Sequence, residues 1–255
     1  MAGRNASHGI ASRDRWAAQL AALDQPPSPS RSRKEPITVD RIVDAALQIA
    51  EAQGFGELTM RRVAAALQTG PASLYAHVRN KAELDDLLIG ALCARVVLPK
   101  PDPDHWQAQI VNVCGQLRDQ FLRHPGISRA AMAAAPISLD TLRINEGMLA
   151  IVLAGGVPAQ SAAWAIDAAY LYVSAYSLEV SLRRRPGEGA DGRALESDEI
   201  KERLEMLPAS RFPNMVAHAR ELAAGQGHER FDFTLRTLLQ GLAPAAPAQT
   251  QIDAN

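Results

Sequence analysis

Four cations, Arg61, Arg62, Arg79 and Lys81, fall between Leu58 and Ala82 with no carboxylate among them. Such a stretch meets a phosphate backbone without repulsion, and an arginine within it can offer a two-pronged fork to the O6 and N7 of guanine. Ser73, Tyr75 and His77 add donors and acceptors of the kind that sugar-phosphates and base edges accept. Spacings that carry catalysis are missing from the sequence. The six histidines stand at positions 8, 77, 105, 124, 218 and 228 without a His-x-x-x-His pair; no glycine-rich loop precedes Lys-Ser or Lys-Thr, and no Gly-x-Ser-x-Gly elbow occurs. The two cysteines, Cys93 and Cys114, are too few for a disulfide framework and too far apart for a Cys-x-x-Cys metal site. The expectation is a binding protein that is not an enzyme and needs no metal or cofactor.

The elements that position these residues are helical. The chain has 255 residues, 47% hydrophobic and 22% charged, a composition that supports two modest helical domains. Its formal net charge of −1 conceals an asymmetry: residues 1–81 hold 11 Lys+Arg against 7 Asp+Glu, and residues 82–255 hold 16 against 21. No apolar run approaches the ~20 residues of a membrane span and no signal-peptide core is visible, so a cytoplasmic protein with no membrane partner is expected.

Residues 1–36, with their QPPSPSRSRKEP run, read as a mobile arm. Arg31, Arg33 and Lys34 in it can enter a minor groove or simply keep the chain soluble. From Thr38 onward apolar positions recur at helical spacing. Thr38 caps a helix over Val39–Gln53 that Gly54 ends, and Thr59 caps a second over 60–67 with Leu58 and Val63 as a staple. After Gln68-Thr69-Gly70, Pro71 suits the first position of a very short helix ending near Val78. Asn80 caps a fourth helix carrying Leu84, Leu87, Leu88, Ala91 and Leu92 inward. The prolines at 99, 101 and 103 stop any helix crossing them and mark a domain boundary. Beyond it, helices are expected at 104–123, 138–154, 159–185, 211–224 and 229–242, with a polar loop at 186–198 and a disordered tail over 244–255. The domains are therefore an arm (1–36), a head with its linking helix (37–98), a second domain (104–243) and the tail.

A helix, a three-residue break and a short helix make a helix-turn-helix, whose second member lies in the major groove. Leu74 and Val78, four apart, must pack inward, which turns Ala72, Ser73, Tyr75, Ala76 and His77 outward. The runs Leu58-Thr59-x-Arg61-Arg62-Val63-Ala64, Ser73-Leu74-Tyr75-Ala76-His77-Val78-Arg79-Asn80-Lys81 and Glu83-Leu84-Asp85-Asp86-Leu87-Leu88 closely resemble the DNA-binding domain of the TetR (tetracycline-repressor) family. The resemblance covers residues 37–92 and is closest to the subgroup with a tetracycline-repressor-like C-terminal domain. It implies an all-α homodimer that represses transcription from a palindromic double-stranded operator until a small-molecule effector releases it.

The resemblance further implies that Arg61 reaches a base and that Thr59 and Lys81 clamp phosphates. Pro71, Ala72, Ser73, Tyr75, Ala76 and His77 then form the groove-facing surface. One position departs from the family, which often has glycine where this chain has Gln68; either Gln68 adopts a left-handed conformation or the turn uses Gly70. In the second domain, the helix at 159–185 is apolar on two faces. Trp164, Ala168, Leu171, Ala175 and Leu182 form one; Ile166, Tyr170, Val173 and Val180 form the other. One closes the core and one meets a partner subunit, joined by a second stripe of Phe231, Leu235, Leu238 and Leu242. The effector pocket is expected among Ile110, Cys114, Met132, Asn145, Met148, Trp164, Tyr172 and Tyr176. Alternatives with the same fold are an activator, or a regulator whose switch is Cys93 and Cys114.

Overall fold

The structure is a computed structural model that describes residues 36–133, 138–183, 192–225 and 227–242. The expected arm and tail lie outside the described residues. Among those described there is no strand, and no helix is long and apolar enough to cross a membrane.

Helix α1 (Val39–Gln53) begins where the Thr38 hydroxyl accepts from the Arg41 N–H at 3.3 Å and ends at Gly54, whose φ of 85° no other residue type takes easily. It buries Ile42, Val43, Ala46, Leu47, Ile49 and Ala50. A 3-10 turn (Phe55–Glu57) follows, and α2 (Met60–Ala66) starts with the Thr59 hydroxyl accepting from the Arg62 N–H at 3.2 Å. Helix α3 (Pro71–Tyr75) is a single turn opened by Pro71; it stops short of the expected Val78, although Val78 N–H still bonds the Leu74 carbonyl at 2.8 Å. Helix α4 (Lys81–Ala94) is capped by Asn80, whose side-chain oxygen accepts from the Glu83 N–H at 2.9 Å.

The second domain comprises α5 (Trp106–Arg123), α6 (Ile127–Ala133), α7 (Leu139–Ala154), α8 (Ala159–Arg183), α9 (Gly192–Glu205), α10 (Pro213–Ala217), α11 (Ala219–Ala223) and α12 (Glu229–Gln240). Helix α8 packs against α5, α6, α7 and α12, which makes it the spine of the domain. Helix α4 packs on α1 of the head and also on α6 and α7, so a single apolar core runs from Ile42 to Leu239. The prolines at 99, 101 and 103 do interrupt the helices, but the segment is stitched onto α5. The Gln116 side chain bonds both the N–H (2.8 Å) and the carbonyl (3.0 Å) of Val97, and Gln109 bonds Asp102 N–H (3.0 Å) and the Lys100 carbonyl (2.7 Å).

Three expectations for the second domain are corrected. The loop expected at 186–198 overlaps α9, which starts at Gly192; the helix carries Arg203–Glu199 and Lys201–Glu205 ion pairs one turn apart and has little apolar surface to announce it. The helix expected at 211–224 is two short ones, broken at His218. The stripe of Phe231 and Leu235 does not face outward: both are fully buried with Leu239, while Phe233 on the opposite side is 70% exposed. Phe231 stacks on Tyr172 at 5.3 Å between centroids, and the Arg118 guanidinium lies 4.7 Å above it. The two faces of α8 are as expected. Val173 is buried, Ile166, Tyr170 and Val180 pack on the core, and Trp164, Leu171, Ala175 and Leu182 are exposed.

The turn of the head resolves at Gln68, whose φ is +50°, whereas Gly70 sits at φ −81° as the cap of α3. A side chain in that left-handed region crowds its own carbonyl, at about 1 kcal/mol. Relief of that strain, less the roughly 0.4–1 kcal/mol of added chain entropy, is expected to make Gln68→Gly more stable by up to about 0.5 kcal/mol, a Tm rise of about 1–2 °C in a thermal melt; a lowered Tm contradicts strain at this turn.

Candidate nucleic-acid interface and effector domain

Leu74 and Val78 are both completely buried beneath the head, and that anchoring fixes what α3 shows to solvent. Pro71, Ala72, Ser73, Ala76 and His77 are exposed, and Tyr75 is 51% exposed. Thr59 and Arg61, at the start of α2, are exposed as well. The outward surface thus collects every head residue expected from the sequence except Lys81, which is only part-exposed.

The four cations are not equivalent. Carboxylates just outside the acid-free stretch reach back into it: Arg62 pairs with Glu57 at 2.7 Å and donates to the Gln53 side chain at 2.8 Å. Arg79 pairs with Glu83 at 3.1 Å, and Lys81 pairs with Asp85. Lys81 also stands 3.9 Å above the Phe55 ring. Among the described residues Arg61 is left with no ion-pair or hydrogen-bonded side-chain partner, so its fork is the one available to a ligand without breaking a bond first. The Lys81–Asp85 pair is a weak tether, because burial pushes the Asp85 carboxyl up despite the lysine beside it.

Arg143 of α7 anchors the end of α4. Its guanidinium donates to the carbonyls of Cys93 (2.7 Å) and Val96 (3.1 Å), placing a cation at the negative end of the helix. Nearby, α4 and α7 touch closely: a Cβ on Gly90 would lie 3.0 Å from the Ser138 hydroxyl. The head meets the second domain a second time, where Phe55 N–H bonds the Pro125 carbonyl at 2.9 Å in the α5–α6 turn.

Comparison with known proteins accounts for both halves. Residues 42–85 match the model of "Bacterial regulatory proteins, tetR family", and residues 98–245 match that of the "Tetracyclin repressor-like, C-terminal domain". The chain belongs to the TetR family. It is similar to the HTH-type transcriptional repressor DrrR1 of Streptomyces coeruleorubidus, 29% identical over 84% of this chain and 80% of that protein. It is also similar to the TetR-family protein ActR of Streptomyces coelicolor, solved in complex with actinorhodin, at 36% identity and a TM-score of 0.74 over 83% of this chain and all of that one. A third likeness is to BioQ solved with its double-stranded DNA operator, at 29% identity and a TM-score of 0.51 over 58% of this chain and 90% of that one.

The residues expected to line an effector pocket in this TetR-family chain differ in burial. Ile110, Cys114, Met148 and Tyr176 are buried in the core, Asn145 and Tyr172 are half-buried, and Met132 is exposed. Trp164 is 70% exposed on the outward face of α8, which corrects its place in an interior pocket. The tyrosine hydroxyls are engaged in docking α12: Tyr172 donates to the Arg230 carbonyl at 3.3 Å, and Tyr176 lies 3.0 Å from His228 Nδ1. Sequence reasoning missed a different set. Gln120, His124, Ser128, Ser174 and Ser177 each bury a side-chain polar atom without a hydrogen-bond partner among the described residues. Single polar residues on helices read as surface, so only coordinates reveal them. Among the described residues no cluster of three or more His, Cys, Asp or Glu forms a metal site.

Cys93 and Cys114 are both free and buried. Burial pushes the Cys93 thiol up to about 11 and the Cys114 thiol up to about 12, which removes the thiolate that a redox switch needs. At pH 8 the thiolate fraction is on the order of one in a thousand or less. Folded protein treated with iodoacetamide at pH 8 is expected to show both thiols unmodified by mass spectrometry, with full labelling in urea; rapid alkylation of either thiol in the folded state would restore the redox alternative.

Proposed function

We propose that this TetR-family regulator is a cytoplasmic repressor that binds a palindromic operator as a homodimer and releases it when a small molecule occupies the second domain. It acts by binding alone and performs no reaction. The observation that carries the reading is the burial of Leu74 and Val78 directly beneath an exposed face of Pro71, Ala72, Ser73, Tyr75, Ala76 and His77. A one-turn helix held only from below has no packing use for such an outer face.

In this reading Arg61 gives its fork to a guanine, Ala72 and Ala76 offer methyl contacts to thymine, and Tyr75 and His77 divide between base and sugar-phosphate. Thr59 and Lys81 hold phosphates, Lys81 by exchanging Asp85 for the backbone anion. The exposed Trp164, Leu171 and Leu182 of α8, with Phe233 of α12, are the surface that meets the second subunit. An apolar area of that kind on one side of a long helix is costly in water and is covered by its two-fold mate. Two heads then fall one turn of DNA apart, about 34–36 Å, which a palindrome matches. The ligand complex of ActR and the operator complex of BioQ support the two binding roles by family likeness.

Mobility shifts with DNA flanking the protein's own gene, against random DNA at two salt concentrations, test the assignment. Arg61→Ala is expected to cost operator affinity about 10- to 100-fold while sparing random DNA. Lys81→Ala is expected to weaken both alike and to reduce the salt slope by about 1. Equal losses on both DNAs for Arg61→Ala would remove base reading from this residue.

A further inference from the structure

We propose that Phe55 is a positioning residue for DNA binding: its ring seats the Lys81 ammonium at the start of α4, where the lysine can exchange Asp85 for a phosphate without losing its place. The inference rests on the reading of Lys81 as a phosphate contact and names the residue that makes that contact possible.

Lysine is poorly suited to the position it occupies. Lys81 is the first residue of α4, where unpaired N–H groups form the positive end of the helix and repel a cation. Its ion pair with Asp85 spans one turn, and lysine ahead of the acid is the weaker order for such a pair. Burial pushes the Asp85 carboxyl up in spite of the lysine, the mark of a loosely held pair. On DNA the pair is also the wrong one to keep, since a carboxylate beside a phosphate is repelled by it.

The ring has no such conflict. Lys81 Nζ stands 3.9 Å above the Phe55 centroid, and an aromatic face attracts an ammonium without carrying a charge of its own. The three N–H donors of the lysine stay open to oxygen acceptors. A phosphate can therefore replace Asp85 while the lysine remains seated.

Phe55 can serve as a seat because its backbone is pinned. Gly54 ends α1 at a φ of 85° and leads into the 3-10 turn that Phe55 opens. The Phe55 N–H donates to the Pro125 carbonyl at 2.9 Å, and the Phe55 carbonyl accepts from the Leu58 N–H at 3.2 Å. Gly126 approaches so closely that a Cβ on it would stand 3.2 Å from the Phe55 Cβ. The side chain is half-buried against the apolar core, which leaves the rest of it to Lys81. Two residues on, Glu57 pairs with Arg62 at 2.7 Å, beside the open Arg61. One three-residue turn thus touches Lys81 and the neighbour of Arg61.

The test uses the full chain and a labelled duplex of random sequence, because a phosphate contact is indifferent to sequence and needs no known operator. Fluorescence anisotropy over a series of salt concentrations compares the wild type, Phe55→Leu, Lys81→Ala and the double variant. Leucine keeps apolar bulk and the backbone bond to Pro125 but has no ring. Phe55→Leu is expected to weaken binding about two- to fivefold, the range of an exposed ammonium on a ring, and to lower the salt slope although it removes no charge. In the Lys81→Ala background the same change is expected to cost nothing further. Phe55→Tyr, which restores a ring, is expected to match the wild type in affinity and salt slope.

The proposal is overturned by a Phe55→Leu penalty that is equal with and without Lys81, by a loss of affinity at unchanged salt slope, by a gain in affinity, or by a Phe55→Tyr variant that behaves like Phe55→Leu. Phe55→Met takes the place of leucine in the cycle if leucine does not fold. Should Lys81→Ala bind as the wild type does, the phosphate contact and the seat fall together; should Lys81→Ala bind weakly while Phe55→Leu binds normally, only the seat falls.

Discussion

Helix α4 is packed from two sides at once, and the rest of the molecule depends on it. Its inward residues Leu84, Leu88 and Leu92 are fully buried in a core shared with α1 and with α6 and α7. Arg143 closes its last carbonyls from α7, and Gly90 lets the Ser138 cap of α7 approach closely, so that a Cβ there would stand 3.0 Å from the Ser138 hydroxyl. A helix held in this way cannot swing while its neighbours stay still, because packed interiors shift between discrete arrangements and do not deform smoothly. The orientation of the head is consequently a property of the second domain.

The electrostatics of the head follow a similar economy. A chain of net charge −1 binds a polyanion only through local arrangement, and the cations of the head are sorted into two groups. Arg62 and Arg79 are committed to Glu57 and Glu83, where they hold the 3-10 turn and the start of α4. Arg61 is left open, and Lys81 is loosely held between Asp85 and the Phe55 ring. Structural cations set the frame and uncommitted ones face outward.

What was legible in the sequence was chemistry that acts within a turn or two. Thr38, Thr59 and Asn80 cap the helices expected of them, and Leu74 and Val78 are buried because their four-residue spacing leaves them one side to occupy. The two faces of α8 were legible for the same reason. Failures came where the deciding partner is distant in sequence. An apolar stripe on α12 says that Phe231 and Leu235 are buried but not that α5 and α8 bury them. Trp164 has the composition of a pocket wall and is exposed on the outward face of α8. Helix α6 is only seven residues long and follows Pro125 and Gly126, too short a run to show a periodicity. The acid-free stretch around Arg62 ends in sequence at Glu57 and Glu83, yet both return to it in space. The buried serines carry no local signal at all.

The central claim is that two α3 faces, held through α4, stand one DNA turn apart on an operator. Ala72→Cys places a label on the exposed face of α3, and the buried Cys93 and Cys114 stay silent beside it. Pulsed electron resonance on the operator complex should give a single narrow distance centred near about 34–36 Å, broadening or shifting when effector is added. A distance in the operator complex that is broad, or centred well away from that spacing, contradicts the account.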